Sequence, residues 1–402
     1  MSVTLEQPAP SGAAAVGARH DLLRLATAGS VDDGKSTLVG RLLHDTKSVL
    51  ADQLEAVARV SRERGLPAPD LALLTDGLRA EREQGITIDV AYRYFSTATR
   101  SYVLADTPGH VQYTRNMVTG ASTAELALIL VDARHGVVEQ TRRHLAVTGL
   151  LGVRHVAVAV NKMDLVGWSR ERFDEIVAEF TSLATRFGVD EVVAVPLSAL
   201  LGDNVVDRSA FTPWYAGPTL LEHLEAVPVG VDPSVEPFRF PVQLVIRPQT
   251  AQHRDYRGYA GRLTSGVVAV GDEVMVLPTG RRTQIVGVDR ADRDGGVVAG
   301  EHAVAGESVV LRLADDIDIA RGDLLAAVGD APEVTRTLAG TVSVLSERPL
   351  RARDRVLVRL GTRTVRGLVD EIVDELDVTT LERRTAPESL SLNALGRVRV
   401  RL

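Results

Sequence analysis

From residue 23 to about residue 227, compact apolar runs alternate with stretches whose apolar positions recur every three to four residues. The runs LRLATAG, ITIDVAYRYF, SYVLAD, ELALILVDA, HVAVAVNKMD and EVVAVPLSA have the length and β-branched content of strands. Between the last three lie amphipathic stretches, Gln140 to Leu151 and Arg170 to Phe187, that read as helices. Strand alternating with helix predicts an α/β domain over 23–227: a mostly parallel sheet with helices on both faces. A segment holding Pro228, Pro233 and Pro237 then breaks the pattern and reads as a linker over 228–237. Beyond it the period changes to two. PVQLVIR, GYAGRLTSGVVAVGDEVMVL, TQIVGVDR, ESVVLRL, LAGTVSVL, DRVLVRLG, TVRGLVDEIV and RVRVRL follow, with Gly and Asp at the breaks. That pattern predicts two antiparallel β-barrel domains, 238–334 and 335–402. The second is short for a closed barrel, and its final RVRVRL would leave a sheet edge in need of cover.

The first 22 residues lack the basic start and leucine-rich stretch of an export signal and read as a flexible tail. Apolar runs such as Leu126 to Val131 are far shorter than the ~20 residues of a membrane helix. A cytoplasmic chain with no membrane partner is the expectation.

Composition narrows the chemistry. Cys is absent, which excludes disulfides, thiolate catalysis and Cys-ligated metal sites. Aromatics are 4%, so the cores must be built mainly from Val, Leu, Ile and Ala. Asp plus Glu number 53 against 46 Lys plus Arg, a poor balance for nonspecific binding of nucleic acid. Only three of those 46 cations are lysines, Lys35, Lys47 and Lys162. In so Arg-biased a chain, each lysine marks a place where a compact ammonium on a slim stem is a candidate requirement.

Two of the three fall in motifs. The strand from Leu23 runs into Gly29-Ser30-Val31-Asp32-Asp33-Gly34-Lys35-Ser36, followed by Thr37, and matches G-x-x-x-x-G-K-[ST]. Glycines let consecutive N–H groups point at phosphate oxygens, and the following helix N-terminus adds positive potential. Lys35 is then the candidate partner of the β- and γ-phosphates, and the Ser36 hydroxyl a candidate Mg²⁺ ligand.

Further motifs sit at the ends of later strands. Asp106-Thr107-Pro108-Gly109-His110 follows SYVLAD; Asp106 can hold Mg²⁺ through water, and the Gly109 amide can bond a γ-phosphate. Asn161-Lys162-Met163-Asp164 follows HVAVAV. The Asp164 carboxylate can accept from N1–H and the 2-amino group of guanine, which adenine cannot offer; sites of this kind reject the wrong analogue by roughly 10⁴-fold or more. The Lys162 stem would lie along base and ribose. Ser198-Ala199-Leu200, after VVAVPL, would place a backbone amide on the guanine O6. Between the first two motifs, Gly85-Ile86-Thr87-Ile88 offers Thr87 as a second Mg²⁺ ligand on a mobile loop. His110 is the candidate for positioning the attacking water, so that Lys35, Thr87 and His110 form the candidate catalytic set. The ligands implied are GTP and Mg²⁺.

DTPGH, GITI, NKMD and the barrel patterns together resemble the translation-factor GTPases of the elongation factor Tu type. Those factors usually read G-H-V-D-H-G-K in the first loop; here Ser30 and Asp33 replace both histidines. The longer strings AGSVDDGKSTLVGRLLHDTKSV and LLTDGLRAEREQGITIDVAYRYFST resemble more specifically the large, GTP-hydrolysing subunits of bacterial sulfate adenylyltransferases, as do PLSALLGDNV and TPWYAGPTLLEHLE. The resemblance implies a small catalytic subunit as partner, which joins ATP and sulfate into adenosine 5′-phosphosulfate and diphosphate while this chain hydrolyses GTP to drive the synthesis. Adenylylsulfate kinase is a further candidate partner; no second phosphate loop follows downstream, so the kinase domain fused to some relatives is not expected in this sequence. Lys47 and the charged run Arg79 to Glu83 are either partner contacts or a solvated helix face. Two other readings stay open: a translation-type factor carrying aminoacyl-tRNA, for which residues 336–402 with 13 Arg against nine acidic residues are the best support, and a GTP-stabilised scaffold.

Overall fold

The computed structural model describes residues 21–63, 65, 69–74, 89–110, 114–153, 155–189, 191–228, 235–248, 256–291 and 296–402. Thr87 with its flanking Gly85 to Ile88, the run Arg79 to Glu83, and Pro233 lie outside them. The chain divides into two compact units, Met1–Val229 and Gly230–Leu402.

The first unit contains β1 (Asp21–Ala28), α1 (Lys35–Asp45), α2 (Ala51–Glu63), β2 (Ala91–Ser96), β3 (Arg100–Asp106), α3 (Thr114–Ala121), β4 (Leu126–Asp132), α4 (Glu139–Leu150), β5 (His155–Asn161), α5 (Arg170–Arg186), β6 (Val192–Pro196) and α6 (Leu220–Ala226). Its strands lie in the order β2-β3-β1-β4-β5-β6. All neighbours are parallel except β2 and β3. Every residue of β4 is buried, as a strand covered by helices on both faces must be. Leu23, Leu25, Leu128, Leu130, Ala157 and Ala159 meet Leu38 and Leu42 of α1 in the core on one face of the sheet.

Two expectations change. Asp21 and Leu22, read as tail, open β1, because Asp21 through Thr27 pair residue by residue with Arg100 through Asp106. Of the run read as the strand ITIDVAYRYF, Asp89 and Val90 stand outside the ladder: β2 spans Ala91–Ser96, and the Asp89 carboxylate accepts the Val90 N–H at 2.8 Å.

The second unit is antiparallel throughout. It begins with β7 (Arg239–Ile246), β8 (Gly258–Arg262), β9 (Val267–Ala269), β10 (Glu273–Leu277), β11 (Arg281–Ala291), β12 (Val297–Gly300), β13 (His302–Val304), β14 (Ser308–Leu313) and β15 (Leu324–Ala327). The order β10-β15-β7-β8-β14-β11 closes on itself through a β10–β11 pairing, so this part is a barrel around Phe240, Tyr259, Ile285 and Leu311. It continues with β16 (Thr337–Ser343), β17 (Leu350–Arg351), β18 (Arg355–Leu360), β19 (Arg363–Leu376), β20 (Arg383–Thr385), β21 (Ser389–Leu390) and β22 (Leu395–Arg401). The main sheet here runs β16-β22-β19-β18.

RVRVRL was expected to leave an edge; it does not. It forms β22, paired on both sides, and the edges of this sheet among the described residues are β16 and β18. Its alternation explains the interior place: Val398 and Val400 face the small core with Val369 and Ile372, while Arg397, Arg399 and Arg401 stand on the other face beside Asp374, Glu371 and Asp370.

Candidate functional site

The first loop is shaped by its own side chains. After β1 the chain turns at Gly29, and the Asp33 carboxylate takes the Ser30 N–H back across the turn. Burial pushes the Asp33 carboxyl up, against the opposing pull of that hydrogen bond and of Lys35. At Gly34 φ is +92°, a conformation that disfavours any side chain. A Cβ there would also stand 2.5 Å from Asn161 Nδ2. Gly34 caps α1 without a side-chain hydrogen bond, and the first turn of α1 holds no acidic residue. The helix start thus keeps its amides and positive potential for an anion.

Lys35 is buried, and its ammonium donates to the loop's own carbonyls, Gly29 O at 2.9 Å and Ser30 O at 2.7 Å. Burial lowers its pKa, opposed by Asp106, Asp33 and Asp32. Gly109 closes over it: a Cβ at that position would lie 2.3 Å from Lys35 Nζ and 2.5 Å from Gly29 O. Below, Thr27 Oγ1 donates to Asp106 Oδ1 at 2.9 Å, and Thr107 Oγ1 donates to Thr27 O, locking the ends of β1 and β3 together.

Asn161 joins three loops. Its Nδ2 donates to Asp33 O at 2.7 Å, while its Oδ1 accepts the Lys162 N–H at 2.8 Å and the Ala199 N–H at 2.9 Å. Lys162, at φ +62°, reaches back so that its ammonium bonds Asp32 O and pairs with Asp132 Oδ2 at 3.0 Å.

A cavity of about 480 Å³ opens over this assembly, lined by Val31, Asp32, Gly34, Lys35, Ser36, Thr37, Gly109, His110 and Lys162. The other expected residues stand around it. Gly29, Asp33, Asp106, Thr107, Pro108, Asn161, Met163, Ser198 and Ala199 are buried; Ser30 and Asp164 are half-buried, and Leu200 is exposed. The remaining expected member, Thr87, lies outside the described residues.

Two residues missed in the sequence, Ala72 and Arg134, also line the cavity. Arg134 grips the buried Asp132 carboxylate through Nε at 3.0 Å and Nη2 at 2.7 Å. Burial pushes the Asp132 carboxyl up, but hydrogen bonds from Arg134 and Lys162 outweigh it and hold the group well below the usual carboxylate range. The available signal was the pair of opposite charges in VDARHG, at the end of a strand flanked by the two that carry the recognised loops; ligands in open α/β sheets gather at those carboxyl ends. For Mg²⁺, the Ser36 hydroxyl in the cavity wall and the Asp106 carboxylate beneath it are the hard oxygen donors that the ion prefers. Among the described residues no cluster of three or more His, Cys, Asp or Glu offers an alternative protein cage.

Residues 20–230 match the elongation factor Tu GTP binding domain family, more than half of the 402-residue chain. The chain is 55% identical over 381 residues to the bifunctional enzyme CysN/CysC of Mycobacterium tuberculosis (strain ATCC 25618 / H37Rv), covering 94% of this chain and 61% of that protein. It is 50% identical over 382 residues to sulfate adenylyltransferase subunit 1 of Bacteroides fragilis (strain YCH46), covering 94% of this chain and 78% of the relative. The subunit 1 of Vibrio vulnificus (strain YJ016) is 52% identical over 379 residues, 93% of this chain and 77% of the relative. The chain therefore spans about three-fifths of the bifunctional relatives' length and nearly four-fifths of the subunit 1 proteins. By these matches, the chain, with its Gly-rich loop, uncapped helix start and Asn161 junction at the carboxyl ends of a mostly parallel sheet, belongs to the sulfate adenylyltransferase subunit 1 family of elongation factor Tu-like GTPases.

Proposed function

We propose that this chain binds GTP with Mg²⁺ in the cavity over Lys35, hydrolyses it, and works as the GTPase subunit of a sulfate adenylyltransferase. The observation that carries the reading is the buried Lys35 ammonium beside an uncapped helix start, tied through Asn161 to the loop that ends in Asp164. Backbone carbonyls are the ammonium's partners here, and phosphate oxygens would make stronger, charge-assisted bonds at the same place. Bound Mg²⁺ would neutralise phosphate oxygens, held by Ser36, by Asp106 through water, and by Thr87. Asp164 would read the N1–H and 2-amino edge of guanine, and an amide of the Ser198-Ala199-Leu200 turn its O6. His110, in the cavity wall, would orient water for attack.

GTP hydrolysis would drive a small catalytic partner that forms adenosine 5′-phosphosulfate and diphosphate from ATP and sulfate. Driving it requires that the GTP and GDP states hold the partner differently, because equal affinity shifts nothing. Loss of the γ-phosphate would release the segments of Thr87 and His110, which gives the two states.

The test has two parts. In competition titration with Mg²⁺, the chain should prefer GTP to ATP, and Asp164→Asn should move the preference to xanthosine triphosphate, whose 2-carbonyl accepts from an amide. An unchanged base preference removes Asp164 from the reading. Mixed with a sulfate adenylyltransferase small subunit, ATP and sulfate, the chain should raise product only while GTP is consumed; product formation indifferent to GTP overturns the coupling.

A further inference from the structure

The geometry points to Arg41 as a positioning residue for base recognition, setting the direction of the amides in the 198–202 turn against the 6-oxo group of a purine. This rests on the guanine reading above. Arg41 lies on α1, the helix that starts at Lys35. Its Nε donates to Ala199 O at 3.2 Å and its Nη2 to Leu200 O, while Nη1 pairs with Asp45 Oδ1 at 3.6 Å. The side chain is only 20% exposed.

The turn that it grips is closed. Gly202 N–H donates to Ser198 O at 2.8 Å and Leu201 N–H to Ser198 Oγ at 3.3 Å, while Ala199 N–H goes to Asn161 Oδ1 at 2.9 Å. In a trans peptide the C=O and the next N–H point opposite ways. Holding Ala199 O against Arg41 therefore aims the Leu200 N–H away from α1, and the Ala199 N–H already points to Asn161. The turn also packs on the arginine: Gly202 has φ +92°, and a Cβ there would meet Arg41 Cδ at 3.5 Å. A planar fork can hold two adjacent carbonyls at once, which a single ammonium does badly. One helix thereby fixes both ends of the ligand site, the phosphate end through Lys35 and the base end through Arg41. Nothing in the sequence pattern marks this role, since Arg41 looks like any solvated helix position.

The experiment uses the full chain with Mg²⁺ and three ligands. GTP and inosine triphosphate carry the 6-oxo group; 2-aminopurine riboside 5′-triphosphate lacks it. Arg41→Ala should weaken GTP and inosine triphosphate about tenfold, the worth of one well-directed hydrogen bond, and the 2-aminopurine nucleotide less than twofold. Arg41→Gln, which keeps one donor nitrogen in place of the fork, should fall between, and it carries the test if the alanine variant does not fold. Equal weakening of all three nucleotides, or of none, overturns the proposal. A wild-type chain that shows no preference for GTP over ATP would instead fail the guanine reading itself, so the two failures are separable.

Discussion

Lys35 is held at a cost to the folded chain. A buried ammonium loses hydration, and two carbonyl dipoles only partly replace it, which is why its pKa lies below the ordinary lysine value. The same desolvation makes it a strong partner for phosphate. Stability and binding should therefore part company at this residue. Lys35→Ala is expected to lower GTP affinity by at least 10²-fold, the loss of a charge-assisted contact in a water-poor site. The nucleotide-free variant should unfold in denaturant at the same concentration as wild type or higher. Parallel loss of stability and binding would mean that Lys35 holds the loop together and is not reserved for an anion. Residues of this kind were legible in the sequence because the loop, DTPGH and NKMD are contiguous strings at strand ends. Asp132 and Arg41 were not, because each acts on a loop distant in sequence: Arg41 bonds carbonyls 158 and 159 residues away, and Asp132 meets Lys162 across neighbouring strands; Arg134 holds Asp132 two residues away and was hidden with it.

At the scale of elements, the sequence pattern picked out the longer strands of both units but not the short β12, β13, β15, β17, β20 and β21, and further errors came where pairing decides. A strand ending the sequence looked like an edge, yet β22 lies between β16 and β19, since one string of alternating Val and Arg can serve a core on one face and ion pairs on the other. The junction of β1, loop and α1 shows the opposite case, where a single backbone conformation joins elements that the sequence keeps apart. Gly34 and Gly152 both have positive φ, +92° and +70°. Only Gly34 has a neighbour in the way, Asn161 Nδ2 at 2.5 Å from a Cβ, while nothing lies within 4 Å at Gly152. Gly152→Ala should thus cost only the left-handed penalty of about 1 kcal/mol. Gly34→Ala should cost about 2–3 kcal/mol and also displace Asn161, with a loss of GTP affinity that Gly152→Ala does not share. Equal effects of the two substitutions would show that the Asn161 junction yields freely.

At the scale of the molecule, a histidine buried in the first unit, outside the candidate nucleotide site, is expected to make stability depend on pH. His144 on α4 is fully buried, and its Nε2 lies 2.9 Å from Gln140 Nε2. Its Nδ1 has no hydrogen-bond partner among the described residues. Burial, reinforced by Lys35 and Arg143, lowers its pKa to about 3. His223 is also lowered, by burial and then by His155. Because the folded value lies below the unfolded one of about 6.5, the unfolded chain binds more protons between pH 3 and 6.5. The stabilisation is complete above pH 6.5 and declines as the solution is acidified, by about 2 kcal/mol for His144 alone between pH 7 and 5. Asp132 and Asp374, whose pKa values are depressed, act in a lower window, since what they contribute is lost only as pH falls below the ordinary carboxylate value. Both tryptophans, Trp168 and Trp214, belong to the first unit, so their fluorescence follows its unfolding and not that of the barrels. The denaturation midpoint read this way should fall from pH 7 to pH 5, and His144→Gln should remove most of that fall while leaving the His223 share. A wild-type midpoint that stays constant over this range, or a variant that declines as steeply, would show that the imidazole is not held neutral inside α4's packing.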